Sequence, residues 1–555
     1  MKPLEARNLN QEVADERTSS LDRMRAMKQQ ARALATAWRE SPLLVVGLIV
    51  TTIASLLPIW IGRYVPLLDY PGHLANLFVW RHLHDPAYGF DRYYEPNLQP
   101  LPYWVQYGIE YVLAIPFGEE VSQKLFLSLA IGLLPVTVAL YAKQLGRDPW
   151  LGVLAFPLAW NMNVSHGFLA YVGGLPLLFL SLWALDRFAT APSWRRGFLT
   201  LGLGVSLYFS HILIWGAFLC VGTVTALPSA RPLTLRRLLI LPLPLLPVFL
   251  IGVWAQTYGN ADKTNLPVSG KGLRAYEGVY NDFFANVGMI PGWTMNTIPE
   301  LRDEQLYSGV LLLCWLLLVV TGWHRGSNPQ QPMGLARLKY LVWGRAEAAL
   351  LVISILYFTL PRSLIRPFYW FAINRRLAVL VTLFALLLIR GTLLHSTVRR
   401  FLLLLAMALS VVYSIDISAH FWRFNHRNRD FEDLLAQVPK RAQVLPLMFS
   451  PGDPDSLMNC FNQWGSYVHI RQGGYMLPYF PVEFPLKYRK IKRPQSPAWD
   501  APQQFRFDAH AAGWDYFLLH GPARVPEFSG SDPRVRLVDR RGDWALFEKV
   551  KEQSQ

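Results

Sequence analysis

About eleven apolar stretches of membrane-spanning length come first in this chain, and a polar tail of about 140 residues follows them. Lipid offers no hydrogen-bond partners to a backbone, so such stretches can cross a membrane only as helices. We therefore predict an α-helical polytopic membrane protein. Its parts are an N-terminal segment at 1–41, a transmembrane domain at 42–416 and a small C-terminal α/β or α+β domain at 417–555.

The parity of the crossings decides which side of the membrane each end occupies. An odd number of crossings places the two chain ends on opposite faces. Lysine and arginine accumulate on the cytoplasmic side of the first span, and the residues before it include Arg23, Arg25, Lys28, Arg32 and Arg39. We predict a cytoplasmic N-terminus and an extracytoplasmic tail, with the chain in the inner (plasma) membrane.

Membrane topology accounts for the basic charge of the chain. The chain is 52% hydrophobic and only 17% charged, with a formal net charge of +16. The basic residues lie mostly in short loops between apolar stretches, where the positive-inside rule explains them, so no nucleic-acid partner is expected. The cysteines Cys220, Cys314 and Cys460 are too few and too scattered for a disulfide framework or a zinc site.

Two long polar segments lie outside the membrane on this topology, at about 63–124 and 258–305. The first contains apolar pieces at about 74–83 and 101–117, which we predict to be helices at the membrane interface. Three of the predicted spans lie at about 151–163, 377–394 and 401–415.

The tail combines turn signals with short strand-like stretches, at 514–520, 535–538 and 544–548. It is also dense in aromatic residues from 459 to 484. Such rings can stack on sugars, but aromatic side chains dominate ordinary cores, so a core role is the stronger expectation.

Asp69 immediately follows the first span, in the sequence LDYPGHLA. A fixed carboxylate in a partly dry pocket can act there as a general base. The same position, before Pro71 and an apolar run, also suits a helix N-cap, which is a purely structural role. His73 lies four residues later and can share a helix face with Asp69, where it would orient the carboxylate, bind phosphate, join a metal site or simply lie at the interface.

Polar side chains also mark two turns between apolar stretches. Asn163 and His166 lie in the outer turn NMNVSH, for which a plain polar turn is the stronger explanation. His211 lies between two apolar stretches, and ionisable groups in such places usually face a cavity or a partner. We take these three residues, with His73, as candidates for auxiliary roles.

A cluster of arginines gives the strongest signal. Arg362, Arg366, Arg375 and Arg376 lie between the predicted ninth and tenth spans, and no acidic residue occurs from 361 to 376. This segment is outside on our topology, where the positive-inside rule disfavours basic clusters. Arginine forks match phosphate oxygens, so we predict a phosphate site. A miscounted span, or ion pairs with distant acids, would explain the cluster without one.

These features together resemble the GT-C superfamily of membrane glycosyltransferases. The resemblance rests on Asp69 in LDYPGHLA, on LPYWVQYGIEYVLAIPFGEEVSQKLFLSLAIGLLPVTVALYAKQLG at 101–146, and on the basic turn at 374–376. GT-C enzymes have an aspartate just after the first span and interfacial helices behind it, and many end in an extracytoplasmic domain. This chain differs at 161–166, where its second outer turn offers asparagine and histidine in place of the acidic residue that relatives often have.

The resemblance implies partners and a mechanism. A sugar would pass from a polyprenyl phosphate or diphosphate carrier, with inversion, to an envelope glycan, lipid or protein acceptor beside the membrane lipid. Asp69 would deprotonate the acceptor hydroxyl. Arg375 and Arg376 would stabilise the phosphate leaving group, and Arg362 and Arg366 would steer it. No fixed cofactor is implied, and a divalent metal is compatible with the resemblance.

Two other functions fit the sequence. A transporter or lipid flippase would use His211 and the outer arginines to line a path for its substrate. A non-catalytic relative would keep the fold and only bind glycolipid, which the missing second acidic residue favours. An enzyme should need Asp69, whereas a transporter should tolerate Asp69→Asn.

Overall fold

The computed structural model describes residues 42–229, 235–259, 277–299, 301–325, 344–366, 370–476, 485–489, 494–530 and 532–550. The predicted cytoplasmic segment at 1–41 lies outside these residues. The chain divides into two compact units, Met1–Thr51 and Thr52–Gln555, and the second unit contains all the predicted site residues.

Several helices of the described part are long and apolar enough to cross a membrane: Pro42–Trp60, Glu119–Gln144, Leu169–Thr190, Glu304–Gly322 and Thr397–Arg427. Two shorter apolar helices, Ile212–Leu227 and Pro242–Ala255, accompany them. The helical membrane class therefore agrees with the prediction. The number of about eleven crossings stays a prediction, as do the sides of the two ends.

Three of these helices extend further in full, as Ile212–Ser229, Pro242–Gly259 and Leu301–Arg325. The other helices of the described part are Tyr70–Arg81, Trp104–Phe117, Trp194–Ser210, Leu235–Ile240, Phe283–Thr294, Arg345–Thr359, Ala378–Leu386, Phe431–Leu435, Ser466–Gln472 and Phe507–His510. The first two of this list lie where the pieces predicted as interfacial helices were placed. Gly118 separates the second of them from the helix that begins at Glu119, because its φ of +76° ends the first helix.

The predicted span at about 151–163 is not one continuous helix. The chain forms short helical turns instead, at Leu151–Leu154, Pro157–Ala159 and Met162–Ser165. Pro157 has no N–H to continue a helix, and Asn161 caps the last turn by accepting the N–H of Asn163 at 3.0 Å. Nearly all of this irregular segment is buried, so the outer turn lies inside the protein.

The predicted span at about 377–394 is also shorter than expected. Its helix covers only Ala378–Leu386. Beyond it, Gly391 adopts a φ of +71°, and the Arg399 guanidinium donates to the carbonyl oxygen of Arg390 at 2.7 Å. These features hold the chain in an irregular turn where the apolar composition alone predicted a helix.

The last membrane helix is longer than predicted. Instead of about 401–415 it covers Thr397–Arg427 and so passes the predicted domain boundary at 417. Its final turns pack against the tail, where the Phe424 ring lies 5.6 Å from that of Phe461 and 5.4 Å from that of Trp464. Burial of these rings stabilises the extra turns.

The described strands are β1 Tyr94–Pro96, β2 Glu277–Val279, β3 Ser363–Arg366, β4 Gln443–Met448, β5 Tyr475–Met476, β6 Leu486–Tyr488, β7 Tyr516–His520, β8 Val535–Arg541 and β9 Trp544–Lys549. The tail contains a five-stranded sheet in the order β5-β4-β7-β9-β8. In it, β4 is parallel to β5 and β7, and β9 is antiparallel to β7 and β8. Strands β7, β8 and β9 lie where the alternating stretches predicted them, and β7 is buried along nearly its whole length, as suits a central strand.

The tail is tied to the segment that follows the first long helix. Strand β1 pairs with β6 of the tail in antiparallel register. The Tyr64 ring lies 4.7 Å from the Trp464 ring, and its hydroxyl donates to Glu432 Oε1 at 2.7 Å. Arg471 of the tail forms ion pairs with Glu432, at 2.8 Å, and with Glu120. These contacts bring the tail to the segment that contains Asp69.

Candidate functional site

Asp69 occupies the N-cap position of the helix Tyr70–Arg81, but its side chain does not cap that helix. The first helical bond is made by the backbone, from the N–H of His73 to the carbonyl oxygen of Asp69 at 3.1 Å. Pro71, in the first turn, has no N–H for a cap to bind. Helix capping therefore does not explain why an aspartate stands here.

The Asp69 carboxylate is buried and has a partner from the tail. Asp69 is 5% exposed, and its Oδ1 accepts a hydrogen bond from Gln463 Nε2 at 2.7 Å. Burial raises the pKa of Asp69 to about 8, although the positive charge of Arg376 and the Gln463 bond act to lower it. A carboxyl group with a pKa in this range is a stronger base than an exposed aspartate and titrates near the operating pH, which suits general-base chemistry.

The outer turn touches the backbone of Asp69. The Asp69 N–H donates to the carbonyl oxygen of His166 at 3.0 Å, and the Leu68 N–H donates to that of Ser165 at 3.1 Å. Gly167 has a φ of +75°, and a Cβ placed on it would lie 2.8 Å from the Asp69 nitrogen. Only glycine fits this close approach, so the turn SHG fixes the position of Asp69.

Arg376 joins three of the predicted site residues. Its guanidinium is 6% exposed and lies 3.7 Å above the centre of the Phe168 ring. Its Nη1 is 3.2 Å from His211 Nε2, and its carbonyl oxygen accepts a bond from Asn163 Nδ2 at 3.4 Å. The Arg376 charge is also the one that acts on the Asp69 carboxylate. The structure thus brings Asp69, Asn163, His211 and Arg376 into one neighbourhood.

The hydrogen bonds of His211 leave a donor unmatched. Burial lowers the pKa of His211 well below its usual value, so the ring is neutral and has one lone pair for hydrogen bonding. That lone pair can accept from the Leu213 N–H, which lies 3.2 Å from Nδ1, or from Arg376 Nη1, but not from both. If Nδ1 accepts from Leu213, Nε2–H and Arg376 Nη1 are two donors that face each other. An oxyanion beside the two nitrogens would accept from both.

Arg375 and Arg362 extend the positive region. Arg375 lies 5.8 Å above the Trp293 ring, and burial together with the neighbouring charge of Arg362 lowers its pKa. The Nε atoms of Arg362, Arg375 and Arg376 are all buried and have no partner among the described residues. Among those residues, none of the three forms an ion pair with a carboxylate. The Arg366 side chain lies outside the described part, and its backbone is the last residue of β3.

The other two candidate histidines, His73 and His166, are neutral. Burial lowers the pKa of His73 and of His166 to about 4. His73 Nδ1 lies 2.9 Å from the Tyr107 hydroxyl, and His166 Nδ1 donates to the carbonyl oxygen of Met162 at 2.8 Å. The His166 ring also stacks on Trp293, 5.1 Å between centres. At neutral pH these two rings line the neighbourhood without adding positive charge.

The donor set does not fit the divalent metal that the sequence left open. The described residues contain no group of three or more His, Cys, Asp or Glu side chains placed to hold a metal ion. Asp69, the carboxylate on which Arg376 acts, already has its Oδ1 bonded to an amide.

The sequence did not point to Gln463. It lies 394 residues from Asp69, in the 3₁₀ helix Cys460–Gln463. The aromatic density of this part of the tail was noticed, and its rings do form core: Trp464 packs on Phe431 with ring centres 4.8 Å apart. The only feature of the sequence that could have indicated Gln463 is that it is an uncharged polar residue among many aromatic ones, and this is weak evidence for a site.

Two solved structures resemble this chain over almost its whole length. ArnT from Cupriavidus metallidurans in the apo state aligns with a TM-score of 0.53 and 10% sequence identity, covering 92% of this chain and 98% of that chain. The same protein bound to undecaprenyl phosphate aligns with a TM-score of 0.52 and 12% identity, with the same coverage. No protein-family model matches the sequence, and no curated protein is significantly similar to it. At this level of identity the likeness shows the fold alone: the chain has the fold of ArnT, in agreement with the fold that its sequence predicted.

Proposed function

We propose that this protein is a glycosyltransferase of the inner membrane that moves a sugar from a polyprenyl phosphate or diphosphate carrier to an extracytoplasmic acceptor. The observation that carries the proposal is a buried carboxylate, Asp69, whose pKa burial raises and on which the positive charge of the buried Arg376 acts. One group accepts a proton, and the other stabilises negative charge. A displacement at a phosphate-linked sugar needs both.

The reaction balances with these groups. An acceptor hydroxyl loses its proton to Asp69, and its oxygen forms a bond to the anomeric carbon of the sugar. The bond between that carbon and the carrier phosphate oxygen breaks, and the electron pair leaves with the phosphate. The attack comes from the face opposite the leaving group, so the configuration inverts.

The arginines would stabilise the negative charge of the leaving phosphate. Negative charge grows on the departing phosphate oxygen, and preorganised donors aimed at such charge contribute about 3–4 kcal/mol each in well-studied enzymes. Arg376 is fixed by Phe168 and by its bond to the Phe371 carbonyl oxygen at 3.2 Å, so it needs little reorganisation. Arg375 and Arg362 add positive charge beside it, and we assign Arg366 to the same cradle from its place in the sequence.

The fold supports the choice of donor. One of the aligned ArnT structures holds undecaprenyl phosphate. We infer that the present chain takes a carrier of the same chemical class, with its phosphate at the arginines and its chain in the membrane. The acceptor would be an envelope glycan, a lipid or a protein, and the tail would cover the site and help select it.

A deletion strain tests this function. We expect it to lose an envelope glycan modification and to accumulate a polyprenyl-linked sugar, because donor synthesis continues without transfer. Wild-type protein should restore both, and Asp69→Asn should restore neither. If Asp69→Asn restores the glycan fully, the protein is not an enzyme of this kind, and it acts as a transporter instead. Movement of labelled lipid-linked sugar across reconstituted vesicles would then identify that activity.

A further inference from the structure

The tail supplies a hydrogen-bond donor to the candidate base. Gln463 is 2% exposed, and its Nε2 lies 2.7 Å from Asp69 Oδ1. Because an amide nitrogen is only a donor, the direction of this bond is fixed, and Asp69 is the acceptor. The bond occupies one carboxylate oxygen and leaves the other, Oδ2, for a proton from substrate.

The position of Gln463 is set by packing. Its neighbour Phe461 lies 5.0 Å from the Trp464 ring, and Trp464 packs on Tyr64, five residues before Asp69. The Ser456 hydroxyl donates to the carbonyl oxygen of Pro66 at 3.0 Å, so the same part of the tail also contacts the backbone just before Asp69. Rings and backbone bonds on both sides of the pair therefore fix the amide against the carboxylate.

The other end of the amide is unused. Gln463 Oε1 is buried and has no hydrogen-bond partner among the described residues. A buried acceptor without a partner is unfavourable, because it has lost its hydrogen bonds to water. Because Oε1 and Nε2 share one carbon, a hydroxyl that donates to Oε1 would lie next to Asp69. The amide thus offers a place for a hydroxylated ligand beside the base.

We propose that Gln463 is a positioning residue of the active site, which fixes Asp69 through its N–H and accepts a hydrogen bond from a hydroxyl of the acceptor through Oε1. The proposal rests on the function proposed above. It makes the docked tail part of the site, because the transmembrane region alone has the base but not the group that orients it. An amide suits this role better than an arginine would, since it orients the carboxylate without the full charge that would remove its basicity.

The surroundings of Asp69 make the amide bond measurable. The charged group that acts on the carboxylate is Arg376, while His73 and His166 nearby are neutral because burial lowers their pKa to about 4. The Gln463 bond favours the ionised form of Asp69. Removing the bond should therefore raise the pKa of Asp69 in the free protein, without any substrate.

The test compares Gln463→Leu, Gln463→Glu and a control, Gln472→Leu, in full-length protein in lipid nanodiscs. Gln472 is also a buried amide of the tail, but it donates to the Leu435 carbonyl oxygen at 2.9 Å and not to Asp69. The carbonyl stretch of the protonated Asp69 carboxyl is followed by infrared difference spectroscopy against pH and assigned by its loss in Asp69→Asn.

We expect Gln463→Leu to raise the Asp69 midpoint by about one pH unit, the equivalent of one charge-assisted hydrogen bond. Gln463→Glu should raise it further, because two neighbouring carboxyls cannot both ionise easily. Gln472→Leu should leave it unchanged. In transfer assays of Gln463→Leu, the acidic limb of the pH–rate profile should move by the same number of pH units. The KM for the acceptor should rise more than the KM for the donor.

The outcomes separate this proposal from the function. An unchanged midpoint in Gln463→Leu, or the same shift in Gln472→Leu, overturns the role of Gln463 even if the wild type transfers sugar. A shifted midpoint without any wild-type transfer overturns the proposed function and leaves the link between tail and carboxylate standing. Transfer with a shifted midpoint but unchanged KM values overturns the acceptor contact at Oε1.

Discussion

Replacement of Arg376 by lysine tests the phosphate site most sharply within the arginine cluster. Lysine keeps the positive charge but lacks the planar guanidinium that can donate hydrogen bonds to two oxygens at once. In the structure, Nη1 lies 3.2 Å from His211 Nε2, Nη2 donates to the Phe371 carbonyl oxygen at 3.2 Å, and the guanidinium lies on the Phe168 ring. The single ammonium group of a lysine cannot make all three of these contacts.

The magnitude follows from the bonds that a phosphate would lose. One charge-assisted hydrogen bond is worth about 1.5–3 kcal/mol, and each 1.4 kcal/mol is a factor of ten in affinity. We therefore expect Arg376→Lys to weaken polyprenyl phosphate binding about 10- to 100-fold, and Arg376→Ala to weaken it further. Acceptor use should change less, because we assign the acceptor hydroxyl to Asp69 and not to Arg376.

Binding of polyprenyl phosphate to purified protein in nanodiscs measures this effect. The matched control is Arg187→Lys, since Arg187 also lies over a ring, that of Trp183 at 4.8 Å, but is exposed and far along the chain from the cluster. It should bind like the wild type. If Arg376→Lys also binds like the wild type while remaining folded, the phosphate is held elsewhere, and the arginine cluster serves topology or packing only.

Three further predictions concern Gly167, the buried acid Glu110 and the topology. Gly167→Ala should lower both the melting temperature and transfer more than Gly146→Ala, because both residues have a positive φ but only at Gly167 would the new Cβ lie 2.8 Å from the Asp69 nitrogen; equal losses would show that backbone strain alone is responsible. Burial raises the pKa of Glu110 well above its ordinary 4.5, so the folded protein keeps a proton that the unfolded chain releases, and the wild type loses stability as pH rises above about 4.5. The melting temperature of Glu110→Gln should therefore rise relative to that of the wild type as the pH increases from 5 to 8. A difference in melting temperature that does not change with pH would contradict this. A tag on the C-terminus should be reached from outside intact cells and one on the N-terminus should not; labelling of both from one side would show that the span count is wrong.

The sequence predicted the parts of this protein that depend on composition and local order. Apolar stretches identified the helices, because a backbone in lipid has few other solutions. The arginines stood out because they break the positive-inside rule on the predicted topology, and Asp69 stood out because it directly follows the first span. The strands of the tail were visible from their alternation with turns, and β7 to β9 lie where it placed them.

The rest depends on contacts between distant parts of the chain. The apolar stretch at 151–163 has the composition of a span, and only the packing around Pro157 and Asn161 shows that it is broken. His73 and His166 were candidates for auxiliary roles, but burial, which a sequence does not display, makes them neutral. Gln463 meets Asp69 only because the tail folds back onto the segment after the first helix.

Single-turnover transfer in nanodiscs tests the central claim most directly. Purified wild-type protein is mixed with a polyprenyl-phosphate-linked sugar and its acceptor, and sugar transferred and carrier phosphate released are counted together with the anomeric configuration of the product. We predict one carrier released for each sugar transferred, with inversion, and no transfer by Asp69→Asn, although that variant should bind the carrier as the wild type does. Full transfer by Asp69→Asn, or a product with retained configuration, would contradict the assignment of Asp69 as the base.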